Sequence, residues 1–114
     1  MTPYVPDAGH IVWLNFSPQA GHEQAGHRPA LVLSPRSYNE VTNLAVFCPI
    51  TSSVKGYPFE VLLPPAGPVK GVVLADQVRS LDWRARQARL VVSAPHRVVC
   101  EVKEKLAPLI GERC

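Results

Sequence analysis

Arg28-Pro-Ala-Leu-Val-Leu-Ser34 reads as a strand with no polar side. Consecutive apolar residues leave neither face for solvent, which marks a central strand. Pro29 is expected at its start, because proline cannot donate to a ladder. Before it, His10-Ile-Val-Trp-Leu-Asn-Phe16 reads as a first strand with Val12, Leu14 and Phe16 on one face. Between the two lies a polar loop of 11 residues, Ser17 to His27. Connections in compact domains usually run about 4–6 residues, and long ones on small scaffolds often carry function. After the central strand, residues 36–43 are polar with a weak helical pattern. Leu44 to Ile50 is a further strand, expected to be interrupted at Pro49. Thr51 to Pro58 is a second loop. Phe59 to Leu63, Gly71 to Ala75, Val78 to Leu81 and Arg89 to Ser93 complete the strands, with a tight connection at Pro64 to Pro68.

One helix is expected at the C-terminal end. Pro95 opens it, where its missing N–H costs nothing. Val98, Val99, Val102, Leu106, Leu109 and Ile110 recur at three- and four-residue spacing and form one apolar face. Pro108 is expected to kink or tighten the last turn, and Gly111 to end it. Short, closely spaced strands followed by one packing helix suggest a mainly β fold, a small β-barrel of SH3-like size with a C-terminal helix.

The composition agrees. A chain of 114 residues and 12.5 kDa is expected to be a single domain spanning residues 1–114. Hydrophobic residues at 46% and charged residues at 18% exclude a disordered chain. Twelve prolines argue against a largely helical one. No apolar run approaches the roughly 18–20 residues of a membrane span, and the first ten residues show no secretory signal. Cys48, Cys100 and Cys114 cannot all pair within one chain, and none belongs to a C-x-x-C arrangement. A reducing compartment, the cytoplasm, is the simpler reading.

Net charge is +3, but its distribution says more. Arg79, Arg84, Arg86, Arg89 and Arg97 face only Asp82 in that stretch, which therefore carries +4 and leaves −1 for the rest of the chain. A local basic balance fits an anion-facing patch, or a solvated face beside a dimer contact.

Three clusters carry candidate chemistry. His22, Glu23, His27 and Arg28 fall within seven residues of the first loop. His and Glu are acid–base groups, and arginine presents a planar fork suited to phosphate; the alternative is that Arg28 pairs with Glu23 to shape the loop. Thr51-Ser-Ser53 offers hydroxyls at a strand end, either as phosphate donors or as turn residues bonding their own backbone. Asp76 in Ala75-Asp-Gln77 is a base, an orienting group or a turn cap. Trp83 with Arg84 and Arg86 offers a stacking surface for bases, or belongs to the core or a dimer contact. No Walker loop, nucleophile elbow or metal-spaced histidine pair is present.

With these clusters in place, the chain resembles the MazF/PemK-like toxins, sequence-specific endoribonucleases of toxin–antitoxin modules, over nearly its whole length. The motifs are Gly9-His-Ile-Val-Trp13, Gly21-His-Glu-Gln-Ala-Gly-His-Arg-Pro29, Val32-Leu-Ser-Pro35, Tyr38-Asn39, Pro49-Ile-Thr-Ser52, Lys55-Gly-Tyr-Pro-Phe-Glu60, Ala75-Asp-Gln77 and Trp83-Arg-Ala-Arg86. The match is nearest to the MazF branch through the motifs at 55–60 and 83–86. The resemblance implies an SH3-like barrel working as a homodimer on single-stranded mRNA. Cleavage would be independent of the ribosome, and an acidic MazE-like antitoxin would occupy the same ground. It implies DNA contact only through the antitoxin complex, no membrane, and no cofactor or metal. Family chemistry falls on Arg28 and Thr51, with Glu23 and His22 in the loop that closes over RNA. Asp76 matches an acidic position used catalytically in the Kid branch. The residue two before it is arginine there and Leu74 here, so a mechanism resting on that arginine does not carry over. Around this centre RNA contacts are expected from His27, Ser52, Ser53, Lys55, Gln77, Arg79, Arg84 and Arg86. The chemistry expected is attack by the RNA 2′-hydroxyl, with Arg28 stabilising the phosphorane and the base open among His22, Glu23, Asp76 and water. A gyrase-poisoning toxin of CcdB type shares the barrel but kills by binding. The end of this chain, Leu109-Ile-Gly-Glu-Arg-Cys114, lacks the aromatic contact such a toxin would use.

Overall fold

The structure, a computed structural model, describes residues 3–16 and 26–111. Strand β1 (His10–Asn15) pairs antiparallel with β2 (His27–Val32), and β2 pairs with β3 (Leu44–Thr51). Helix α1 (Arg36–Thr42) fills the β2–β3 connection. Then follow β4 (Glu60–Leu62), β5 (Val72–Leu74), a 3-10 turn at Ala75–Gln77, β6 (Arg79–Asp82), β7 (Arg89–Ser93) and helix α2 (His96–Ile110). The order across the sheet is β4-β5-β3-β2-β1-β7, with β6 also on β3. This is the mainly β fold with a C-terminal helix that the strand spacing suggests. The barrel is not closed among the described residues, because no ladder joins the outermost strands, β4 and β7.

Period-two alternation decides what each strand buries. Val12, Leu14 and Phe16 pack with Ala30, Val32, Ala45, Phe47, Leu81 and Trp83. Ile11, Leu31, Cys48 and Ile50 point the other way, onto Val98, Val99 and Val102 of α2. The central strand is apolar throughout because each of its faces meets a core. Burying each of the three α2 valines stabilises the docked helix by roughly 1.5–3 kcal/mol.

Four expectations need correction. β3 is not interrupted at Pro49 but runs to Thr51. It pairs with β6 through Leu44–Phe47 and with β5 through Ile50–Thr51. Pro49 falls between those partners, where a missing N–H breaks no ladder on that side. Pro29 is the third residue of β2, ahead of the segment that pairs with β3, so the strand is still one-sided there. Pro95 is the cap residue of α2 rather than its first turn, its carbonyl accepting from the amides of Val98 and Val99. The helix runs through Pro108, and its apolar face outlasts the sheet beneath it: Leu109 and Ile110 are exposed.

Trp83 belongs to the core, its indole N–H donating to the Asn39 carbonyl at 2.9 Å. Asn39 is itself fully buried. Its amide donates to the carbonyls of Pro6 and Ser34, and its oxygen accepts from the Ser34 hydroxyl at 2.6 Å. These bonds tie α1, the N-terminal segment and the turn after β2 into one fully satisfied polar cluster. Asn43 ends α1 in the left-handed region, a conformation asparagine tolerates.

Candidate functional site

The β2–β3 register brings two distant motifs together. Ala30 faces Pro49, and Leu31 faces Cys48. Continuing that register two residues past the last pair sets Arg28 opposite Thr51, and one residue past it sets His27 near Ser52. Beyond the paired segment these side chains border open space rather than core. The result is a groove of about 640 Å³ whose lining includes Arg28, Thr51, Ser52, Ser53, Lys55, Asp76 and Gln77. Seven of the expected site residues therefore share one cavity. Leu74, Tyr57, Phe59 and Glu60 also border it, giving apolar patches between the polar groups.

Local structure sets each wall. The Thr51 hydroxyl oxygen accepts from the Ser53 amide at 3.2 Å, which orients the side chain and leaves its O–H to donate. Gly71 faces this turn with a φ of +111°; a Cβ there would collide with the Thr51 carbonyl and stand 2.8 Å from the Ser52 Cα. Only glycine lets the chain entering β5 approach Thr51 so closely. Asp76 stands on the 3-10 turn that follows β5.

The loop from Ser52 to Phe59 forms the opposite wall, and Glu60 shapes it. One carboxylate oxygen accepts from the Gly56 amide at 2.9 Å, and the Lys55 amide approaches both oxygens. Gly56 has positive φ, so the two successive amides form a small anion-binding nest filled by Glu60. From outside, the Lys105 ammonium of α2 donates to the Pro58 carbonyl at 2.7 Å. The Lys55 ammonium lies 5.9 Å over the Tyr57 ring.

Other expected residues lie elsewhere. His27 borders a neighbouring cleft that shares Arg28 and Ser52 with the groove. Arg79 lies 6.0 Å over the Phe16 ring, and Arg84 lies 5.2 Å over Trp83 beside a separate hollow. The Arg86 guanidinium donates to the Asn15 carbonyl at 2.8 Å. The groove lining includes none of these three. His22 and Glu23 fall outside the described residues. Among the described residues no three metal-ligating side chains gather, and no helix is long and apolar enough to cross a membrane.

Beneath the groove, burial pushes the Cys48 thiol up to about 12, with the Asp76 charge adding to the shift. Its Sγ lies 3.9 Å from the Ala75 carbonyl, so it is an inert core thiol. Sequence reading passed over Gly71, Lys105 and the role of Glu60. The last stood inside a recognised motif, but its use of backbone amides has no sequence signal. Gly71 immediately precedes β5, a position where glycine often marks close backbone approach.

Comparison with known proteins identifies the family of the chain. A family described as PemK-like, MazF-like toxin of type II toxin–antitoxin system matches residues 7–110. The chain is 49% identical over 109 residues to a protein of Escherichia coli strain K12 named endoribonuclease toxin MazF, covering 95% of this chain and 96% of that one. It superposes on a crystal structure of MazF from Deinococcus radiodurans with a TM-score of 0.93, at 64% identity, covering 96% and 99% of the two chains. A MazE–MazF crystal structure from the same organism gives a TM-score of 0.89 at 63% identity, with 97% and 100% covered.

Proposed function

The chain belongs to the PemK-like, MazF-like toxins of type II toxin–antitoxin systems, and on that footing we propose that it is an endoribonuclease toxin cutting single-stranded mRNA at a specific sequence, independently of the ribosome. Residues 1–114 act as one toxin domain, in the cytoplasm and as a homodimer. An acidic MazE-like antitoxin neutralises it, and DNA is reached only through that complex. The observation that supports the chemistry is the shared groove, whose lining includes both Arg28 and Thr51, each just beyond the last pair of the β2–β3 ladder.

RNA supplies its own nucleophile. A base removes the proton of the 2′-hydroxyl beside the scissile phosphate, the 2′-oxygen bonds to phosphorus, and the bond from phosphorus to the 5′-oxygen breaks. The products are a 2′,3′-cyclic phosphate and, once the leaving oxygen takes a proton, a 5′-hydroxyl. Negative charge grows on the phosphorane and then on the leaving oxygen. Arg28 meets the first as a cation anchored in a strand, so no reorganisation is needed as charge develops. Arginine stays protonated and is not the base. Thr51 donates to a non-bridging oxygen and aligns the attack. Asp76, on the groove wall, acts as base or orienting group together with Glu23 and His22. Ser52, Ser53, Lys55 and Gln77 hold the strand along the groove, and His27 continues it into the neighbouring cleft. Arg79, Arg84 and Arg86 extend the basic field on which longer RNA and the antitoxin tail are held.

The test is to incubate the purified chain with a long single-stranded RNA in EDTA and analyse the new ends. Cuts at a recurring sequence that leave cyclic phosphates support the proposal. RNA bound but uncut would reduce the chain to a binding module, and RNA neither bound nor cut would favour a toxin of CcdB type.

A further inference from the structure

We propose that the cleft beside the groove is a nucleobase subsite, in which the base next to the phosphate held at Arg28 stacks on Trp13. The inference rests on the reading of the groove as the RNA site and extends it to how sequence is selected. The cleft encloses about 290 Å³, and Arg28 and Ser52 border it as well as the groove. A strand crossing Arg28 therefore leaves one cavity directly for the other.

Strand register builds its floor. Trp13 faces Pro29 across the β1–β2 ladder, two residues beyond the Ile11–Leu31 pair that α2 covers. Beyond that covered pair, Trp13 is 37% exposed, whereas Trp83 is 4% exposed. Ile50 extends the floor, and Pro68 and Val69 form a side wall that ends at Lys70. An aromatic surface with an adjacent cation is what single-stranded RNA uses to seat a splayed base and its phosphate. The charges fit as well. Among the described residues, the lining of the cleft contains Arg28 and Lys70 and no carboxylate, while the groove carries Asp76 and Glu60.

The probe is an oligoribonucleotide spanning a mapped cut site, with 2′-deoxyribose at the cut nucleotide so that it binds without being cleaved. Base–aromatic stacking predicts that Trp13→Ala weakens its binding roughly 5- to 150-fold, with Trp13→Phe retaining most of the affinity. In turnover of the cleavable RNA the loss falls on KM more than on kcat. Deleting the base at one position beside the cut should cost a similar factor, and in combination with Trp13→Ala should add little, as for two halves of one contact. The abasic arm alters only the RNA, so it stands whatever the variant does to folding. In a Trp83→Phe chain, Trp13 is the single indole, and the probe should quench its emission. Penalties that add independently at every flanking position would overturn the subsite. So would Trp13 emission that responds to protein dilution and ignores RNA, since Trp13 would then lie against a second copy of the chain. Failure of the wider reading looks different: if no RNA is cut, an unstructured single-stranded oligoribonucleotide replaces the probe, and its quenching of Trp13 emission removes the nuclease and leaves the subsite in place.

Discussion

In the proposed mechanism Arg28 is the residue on which the chemistry turns, and its position explains why replacement should be informative. It stands at the strand edge rather than in either core, so Arg28→Ala should fold. Losing one preorganised donor to a developing charge costs roughly 2.7–4 kcal/mol, about 10²–10³ in rate. Single-turnover cleavage should fall by that factor while affinity for an uncleavable analogue changes far less. Arg28→Lys should rescue little, because an ammonium cannot reproduce a planar fork. Thr51→Ala should lose less, a neutral hydroxyl being the weaker donor. If Arg28→Ala instead weakened binding a hundredfold and left the bound-state rate intact, Arg28 would be an anchor. Cys48 makes a separate prediction about pH. Its thiol is held up to about 12 in the folded chain against an ordinary value of 9.0. Above pH 9 the unfolded chain therefore releases a proton that the folded chain keeps, and stability declines as pH rises toward 12. Tyr4, raised by burial, contributes with the same sign. Urea titrations across that window should show the decline, with a shallower slope for Cys48→Ala.

At the scale of elements, the Ser52–Phe59 loop shows how backbone chemistry supports a site. Glu60 fills the amide nest of Lys55 and Gly56, so Glu60→Gln keeps the volume but weakens the acceptor. Faster hydrogen exchange at those two amides and a raised KM for RNA are the expected results. Tighter RNA binding would mean that the carboxylate competes with phosphate for the nest. Asn39 supports the opposite side of the fold; Asn39→Ala would strand the buried Ser34 hydroxyl and the Pro6 carbonyl, costing at least about 2 kcal/mol in chemical denaturation. These elements also mark what the sequence could and could not reveal. Alternation placed β1, and largely unbroken apolar runs placed β2 and β3, because the last two bury both faces in the two cores. The motifs at Arg28 and Thr51 were legible as motifs, but their meeting depends on register, which spacing does not specify. Pro49 misled because the pattern of a single strand does not show that β3 changes partner there. Leu109 and Ile110 kept helical periodicity after the sheet had run out, so periodicity alone assigned them to the packed face although both are exposed. Gly71 and Glu60 act through backbone atoms, which leave no periodic trace.

At the scale of the whole molecule, the surface is unfinished. β7 is an edge strand with Leu90 and Val91 exposed, and such edges are commonly covered by a partner. Light scattering at micromolar concentration, under reducing conditions that exclude Cys114 crosslinks, should give a dimer mass; a monomer would remove the homodimer from the account. An acidic antitoxin tail competing for the basic side chains should bind more weakly as salt rises, and affinity that stayed flat with salt would make the contact mainly apolar. The central claim is that RNA provides the nucleophile and the protein stabilises the charge that develops around it. It is tested most directly by one atom of the substrate: a single 2′-deoxyribose at the cut nucleotide of an otherwise all-ribose oligonucleotide, compared with its parent for binding and cleavage. The account predicts that the deoxy substrate binds as tightly as the parent and stays whole; efficient cutting at that position would contradict it and require water as the attacking group.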